Sequence, residues 1–187
     1  MSSFKVPTRD EVSDDNQVIF DNLEKAVGFV PNLYATYAHS KHALANYLSL
    51  QNAKTSLKAK EKEVVNLAVS EANNCVYCLC VYCLSARTAI GKMNGFTDEQ
   101  ILELRAGYAN FGGRLDALAR LAKNMTEYRG TTDEAVLENF FSAGWTKENL
   151  IDTTVLVGDK TISNYLHRTT QVPVDFPIAQ SLYTVGV

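Results

Sequence analysis

From Val18 to Leu166, apolar residues return at three- and four-residue intervals, and the breaks between runs are Gly, Asn and Pro. That spacing commits the chain to helices, because a period of 3.6 residues gathers such positions on one face. Thr8-Arg9-Asp10-Glu11 precedes Val18, Ile19, Leu23 and Val27, so a helix is expected over 8–27 with Gly28 as its stop. Pro31 suits the first turn of a short helix through Tyr34 and Tyr37. Leu44, Tyr47, Leu48 and Leu50 mark another over 41–56, and Val64, Val65, Leu67, Ala68 and Val69 make the one over 58–72 almost wholly apolar.

Leu84 begins a further helical pattern that Asn94-Gly95 ends, and Thr97-Asp98-Glu99-Gln100 reads as a capping box. Gly112-Gly113 separates this helix from one over 115–128, Gly130 precedes another over 133–144, and Thr146 opens a long helix to Leu166 or His167. The tail from residue 171, with Pro173 and Pro177, is expected to be extended. Strand alternation, Gly/Ser linkers and long repeats are missing. The expectation is an all-α, single-domain helical bundle of about seven to eight helices over residues 1–187.

A chain of 187 residues with 46% hydrophobic and 21% charged content can bury a core unaided. Its formal charge of -3 argues against a phosphate-binding surface, so nucleic acid is not an expected partner. No run approaches the roughly 18 to 20 apolar residues that span a bilayer, so no membrane partner is expected either. The N-terminus carries no apolar signal core, and the cysteines do not form the dispersed framework of a secreted domain. A reducing, cytoplasmic setting is the reading.

All four cysteines fall in one pentapeptide written twice, CVYCL-CVYCL, giving the pairs Cys75/Cys78 and Cys80/Cys83. Asn73-Asn74 closes the preceding helix, which puts the first pair at a helix start, where unsatisfied N–H groups stabilise a thiolate on the first cysteine. Such a pair can cycle between dithiol and disulfide. The carboxylates upstream are Glu61, Glu63 and Glu71. Glu63 reads either as a solvated first-turn residue complementing the helix dipole or as a desolvated proton shuttle with a raised pKa.

Five inserted residues turn a continuous helix by roughly 140° net, so both pairs cannot face Glu63 equally. Cys75, Cys78, Cys80 and Cys83 also offer four thiolates for zinc or copper, at a spacing tight for one ion. His39 and His42 read as packing or surface residues, and His167 as a charge or cap at a helix end. Trp145 reads as a core anchor, and Tyr77 and Tyr82 as buried aromatics.

The segment from Glu61 to Phe96 resembles the alkyl hydroperoxide reductase D (AhpD)-like branch of the carboxymuconolactone decarboxylase family. The pattern of that branch is a glutamate, a C-x-x-C pair twelve residues later, and a histidine four residues after the second cysteine. Glu63 and Cys75 have this separation; "AKEKEVVNLAVSEANNC" and "CLSARTAIGKMNGFTDEQI" flank the site, and "GFVPNLYATYAHS" and "VPVDFP" extend the likeness.

The resemblance implies an AhpD-like fold, no cofactor, and a CxxC-dependent thiol peroxidase and disulfide oxidoreductase, an alkylhydroperoxidase. It would reduce a hydroperoxide with electrons from a thiol or dithiol reductant protein. A homo-oligomer, trimer or hexamer, is implied as well, with the aromatic-rich early helices (Phe29, Tyr34, Tyr37, Tyr47) as its contact. Two departures fall on the site. Cys75/Cys78 keep the register from Glu63 while Cys80/Cys83 keep the register into Leu84-Ser85-Ala86, and the histidine slot holds Tyr82 or Arg87.

Neither Tyr nor Arg exchanges protons near neutral pH as imidazole does. The expected catalytic set is therefore Cys75, Cys78, Cys80, Cys83, Glu63 and Arg87, with Arg87 supplying charge alone and peroxide turnover weakened. The alternatives are a thiolate metal site on the four cysteines, a catalytically retired structural member, and a decarboxylase-type lyase, which needs no C-x-x-C pair.

Overall fold

Ser13, not Thr8, starts the first long helix: its side chain accepts the Asn16 N–H at 3.4 Å, and the expected 8–27 helix is split into a 3-10 turn, Arg9–Glu11, and helix α1, Asp14–Val27. The computed structural model describes residues 4–78, 95–177 and 182; Cys80, Tyr82, Cys83, Arg87 and the helix expected after Leu84 lie outside the described residues. The helices that follow are α2, Asn32–Tyr37; α3, Ala43–Gln51; and α4, Ala59–Ala72. After these come α5, Asp98–Ala106; α6, Gly113–Glu127; α7, Glu134–Ser142; and α8, Lys147–Thr170. The fold is all-α, with no strand among the described residues.

Local chemistry ends these helices where the sequence signals it. Gly28 (φ 90°) and Gly107 (φ 86°) close α1 and α5 in the left-handed region that glycine enters without a Cβ clash. Thr97 and Gln100 exchange bonds: the Thr97 N–H reaches Gln100 Oε1 at 3.0 Å and the Gln100 N–H reaches Thr97 Oγ1 at 3.3 Å. Thr146 and Asn149 do the same at the start of α8, at 3.0 and 3.2 Å.

The chain divides into two compact units, Met1–Lys54 with Leu166–Asp175 and Thr55–Tyr165 with Phe176–Val187. In the first, Phe20, Leu33, Leu44 and Val172 are buried, and Tyr37 stacks on Tyr47 with centroids 4.4 Å apart. Two of the aromatics expected to form a subunit contact are thus consumed by this unit's own core. Asn32 holds the tail through Pro173 O at 3.1 Å. His167, expected to be a charge or cap at a helix end, is buried with a ring nitrogen 3.1 Å from Val172 O, and burial lowers its pKa.

In the second unit α4 packs against α5 and α6, and α6 against α7. Val64, Val65, Leu67, Leu104, Leu118, Leu121 and Phe140 form the centre of its core. Trp145 is the anchor the sequence suggests: it stacks on Phe140 at 5.5 Å, and its Nε1–H donates to Arg114 O at 2.9 Å. The N-terminal end of α8 is tied to the turn before α4, because the Ser56 N–H and Oγ–H both donate to Asp152 at 2.6 Å and Asn149 donates to Ser56 Oγ at 2.8 Å. Among the described residues no helix is long and apolar enough to cross a membrane.

Candidate dithiol site

The turn that presents the first cysteine pair is built by α4 itself. Asn74 takes φ 51°, a left-handed conformation that asparagine tolerates better than most residues, and its N–H bonds Glu71 O at 2.8 Å. The next N–H, that of Cys75, returns to Ser70 O at 2.9 Å. These are the two bonds of a Schellman closure, and they fix the Cys75 backbone in space.

Val76–Cys78 then begins a helical turn, with Cys75 in the capping position: the Cys78 N–H donates to Cys75 Sγ at 3.4 Å. The two sulfurs lie 2.7 Å apart and both residues are buried. Tyr77, between them, is buried edge-on to Phe176 with centroids 5.7 Å apart, which makes it the buried aromatic the sequence suggests.

The three upstream glutamates separate cleanly. Glu61 turns back on the Lys58 N–H at 2.7 Å and caps α4. Glu71 accepts from Arg105 Nε at 2.7 Å in a mostly buried ion pair. Glu63 points into the interior one turn from the α4 start, and its Oε1 has no hydrogen-bond partner among the described residues. Burial raises its pKa to about 7, against opposing contributions from the Asn66 side chain and the charge of Lys160. The desolvated reading of Glu63 therefore holds over the solvated one.

The rest of the site comes from α8, and the sequence reading missed it. Lys160 is only 2% exposed, with Nζ 3.1 Å from Asp159 Oδ2, and its charge acts on both Glu63 and Cys78. One turn on, the Asn164 side chain has Oδ1 engaged by Asn73 Nδ2 at 2.9 Å, while its Nδ2 donates to Ser70 Oγ at 3.4 Å and faces the sulfurs. The signal was present: Asp159-Lys160 and Ser163-Asn164 repeat a polar pair at a four-residue interval inside a long helix.

The Cys75 thiol is placed to donate to Cys78. That hydrogen bond lowers the Cys78 pKa, and Asn164, Lys160 and Ser163 reinforce this against burial. The Cys75 thiol is correspondingly pushed up, by that hydrogen bond first and by burial second. A hydrogen bond from one backbone N–H to Cys75 is outweighed by the groups gathered on Cys78.

Residues 38–124, the stretch that holds Glu63, Cys75 and Cys78, match the model of the carboxymuconolactone decarboxylase family. Over that stretch the chain resembles the family, and its fold is AhpD-like. A peroxidase-related protein from Ralstonia eutropha JMP134, described as an alkylhydroperoxidase AhpD core, superimposes with a TM-score of 0.75 at 23% identity. The match covers 89% of this chain and 88% of that one. A peroxidase-related protein from Silicibacter sp. TM1040 gives the same TM-score and identity over 95% and 91%. The debrominase Bmp8 reaches 0.73 at 13% identity over 94% and 93%. No curated protein sequence matches this chain. The AhpD-like fold is thus shared by proteins associated with different substrates.

Proposed function

We propose that Cys75 and Cys78 form a redox dithiol that reduces organic hydroperoxides. The observation that carries this reading is the close approach of two buried sulfurs, 2.7 Å, at the exit of the helix that carries Glu63, a buried carboxyl whose pKa is raised to about 7. One sulfur, as thiolate, attacks a peroxide oxygen: an S–O bond forms, the O–O bond breaks, and the alkoxide leaves as alcohol with the proton of Glu63. The second cysteine then attacks the sulfenic acid. An S–S bond forms and the S–O bond breaks, with water leaving on the second thiol's proton, and a dithiol reductant protein restores the pair by exchange.

Glu63 fits the proton-donor role because a group that titrates near 7 holds its proton long enough to deliver it and recovers it readily. Hydroperoxide added to the reduced protein should consume two thiols per chain, reversibly with dithiol reductant. Cys75→Ser and Cys78→Ser should each abolish turnover. Because the debrominase Bmp8, which shares this fold, binds 2,3,4-tribromopyrrole in a cysteine-to-alanine form, a brominated pyrrole assayed in parallel decides the substrate class. Turnover of the bromopyrrole with none of the hydroperoxide sinks the proposal.

A further inference from the structure

Gly158 stands in the middle of α8, where a glycine weakens a helix and where an added Cβ would meet no described atom within 4 Å. No close approach of a neighbouring chain segment asks for it there. Its missing side chain leaves open a groove of about 570 Å³ between the C-terminal end of α6 and the outer face of α8, lined by residues of the second unit. Met125, Val157, Ile162 and Tyr165 give the groove apolar walls. Its lining runs along α8 from Thr154 to Tyr165, roughly 16 Å at the helical rise.

One charge marks the rim. Arg129 follows the end of α6 at φ 55°, a left-handed backbone that glycine adopts far more readily than arginine, and it lines the groove. Its guanidinium has no ion-pair or hydrogen-bond partner among the described residues, and no acidic side chain among them lines the groove. A cation beside an apolar trench complements an anionic head on an apolar tail, and the guanidinium fork suits a carboxylate because its N–H donors match both oxygens.

We propose that this groove binds a monocarboxylate with an apolar tail, such as a medium-chain fatty acid, with the head on Arg129 and the tail over Gly158 between α6 and α8. Neither Cys75 nor Cys78 lines the groove, so the site is separate from the dithiol. Asn73 connects the two: it lines the groove, its Nδ2 donates to Asn164 Oδ1 at 2.9 Å, and it stands two residues before Cys75. A second copy of the chain is a poorer occupant. A two-fold contact of this groove with itself would bury Arg129 and bring it no carboxylate, because none lines the surface.

The test is isothermal titration calorimetry of octanoate, 1-octanol and octylammonium into the reduced, full-length protein, with light scattering on the same samples. Octanoate should bind about fivefold or more tightly than 1-octanol, and octylammonium more weakly than either. Gly158→Leu fills the groove floor and should remove octanoate binding. Arg129→Gly should bring octanoate down to the affinity of 1-octanol and leave 1-octanol unchanged. Each substitution replaces a residue that its backbone position disfavours, so the melting temperature should hold or rise in both, which separates lost binding from lost folding.

No octanoate binding, equal binding of octanoate and 1-octanol, or octanoate binding unchanged in both variants overturns the proposal. So does a stable dimer that Gly158→Leu dissociates, which would make the groove an interface between copies. The dithiol takes no part in these titrations, so their result stands whatever the peroxidase assay returns.

Discussion

Helices α6 and α8 are both long and belong wholly or largely to the second unit, yet they are built inside out relative to one another. Helix α6 buries Ala117, Leu118, Ala119, Leu121, Ala122 and Met125 and turns Arg114 and Arg120 outward, as an amphipathic helix should. Helix α8 buries Thr153, Asp159, Lys160, Ser163 and Asn164, while Ile151 (63% exposed), Val155, Ile162 and Tyr165 (56% exposed) face outward. Burying apolar surface on α6 stabilises the fold; burying an ammonium, a carboxylate and a carboxamide on α8 does not, unless every group is paired. The difference separates a helix whose inner face is apolar from one whose inner face is polar.

The largest stability effect should therefore fall on α6. Leu118→Ala leaves a cavity in a site with no exposure and should cost about 3 kcal/mol or more, read from denaturant unfolding. A cost under about 1 kcal/mol would mean that α6 is not the structural helix of the pair.

Glu63 comes next, with a sign that depends on pH. The unfolded chain releases this proton near its ordinary pKa of 4.5 and the folded chain near 7, so stability falls as pH rises across that window, and the whole penalty is present above it. Glu63→Gln should stabilise the protein by about 2 kcal/mol at pH 8 and by almost nothing at pH 4, while slowing peroxide turnover about 100-fold. Equal melting shifts at the two pH values would contradict a buried, proton-holding carboxyl.

The smallest effect belongs to the outward face of α8. Ile162→Thr removes side-chain surface that is already half in solvent and should change the unfolding free energy of the isolated chain by no more than about 0.5 kcal/mol. A larger loss, seen in the same denaturant titration, would show that this face packs more than its exposure implies and would weaken the contrast with α6.

Much of the architecture was legible residue by residue. The capping box at Thr97 and Gln100, the glycine stops at Gly28 and Gly130, and the closure at Asn73-Asn74 all rest on bonds between residues a few positions apart. The same holds for Cys75 at the start of a helical turn. His167 and Lys160 were not legible in the same way. His167 looks like an ordinary helix-end charge until its ring is found against Val172 O, and Lys160 looks like an ordinary helix-surface lysine until α8 is seen to bury its polar side.

What the sequence by itself determined is most of the described helices, the ends closed by local bonds, and the presence of a C-x-x-C pair twelve residues after a glutamate, because turn closure and capping are decided by neighbours. Only the tertiary structure decided that Glu63 is the desolvated member of three glutamates and that Cys78 carries the lower pKa. It also decided that Lys160 is buried beside Asp159 on a helix far along the chain. The physical reason is that capping depends on local geometry, whereas burial and the field at a sulfur depend on which faces of distant helices meet.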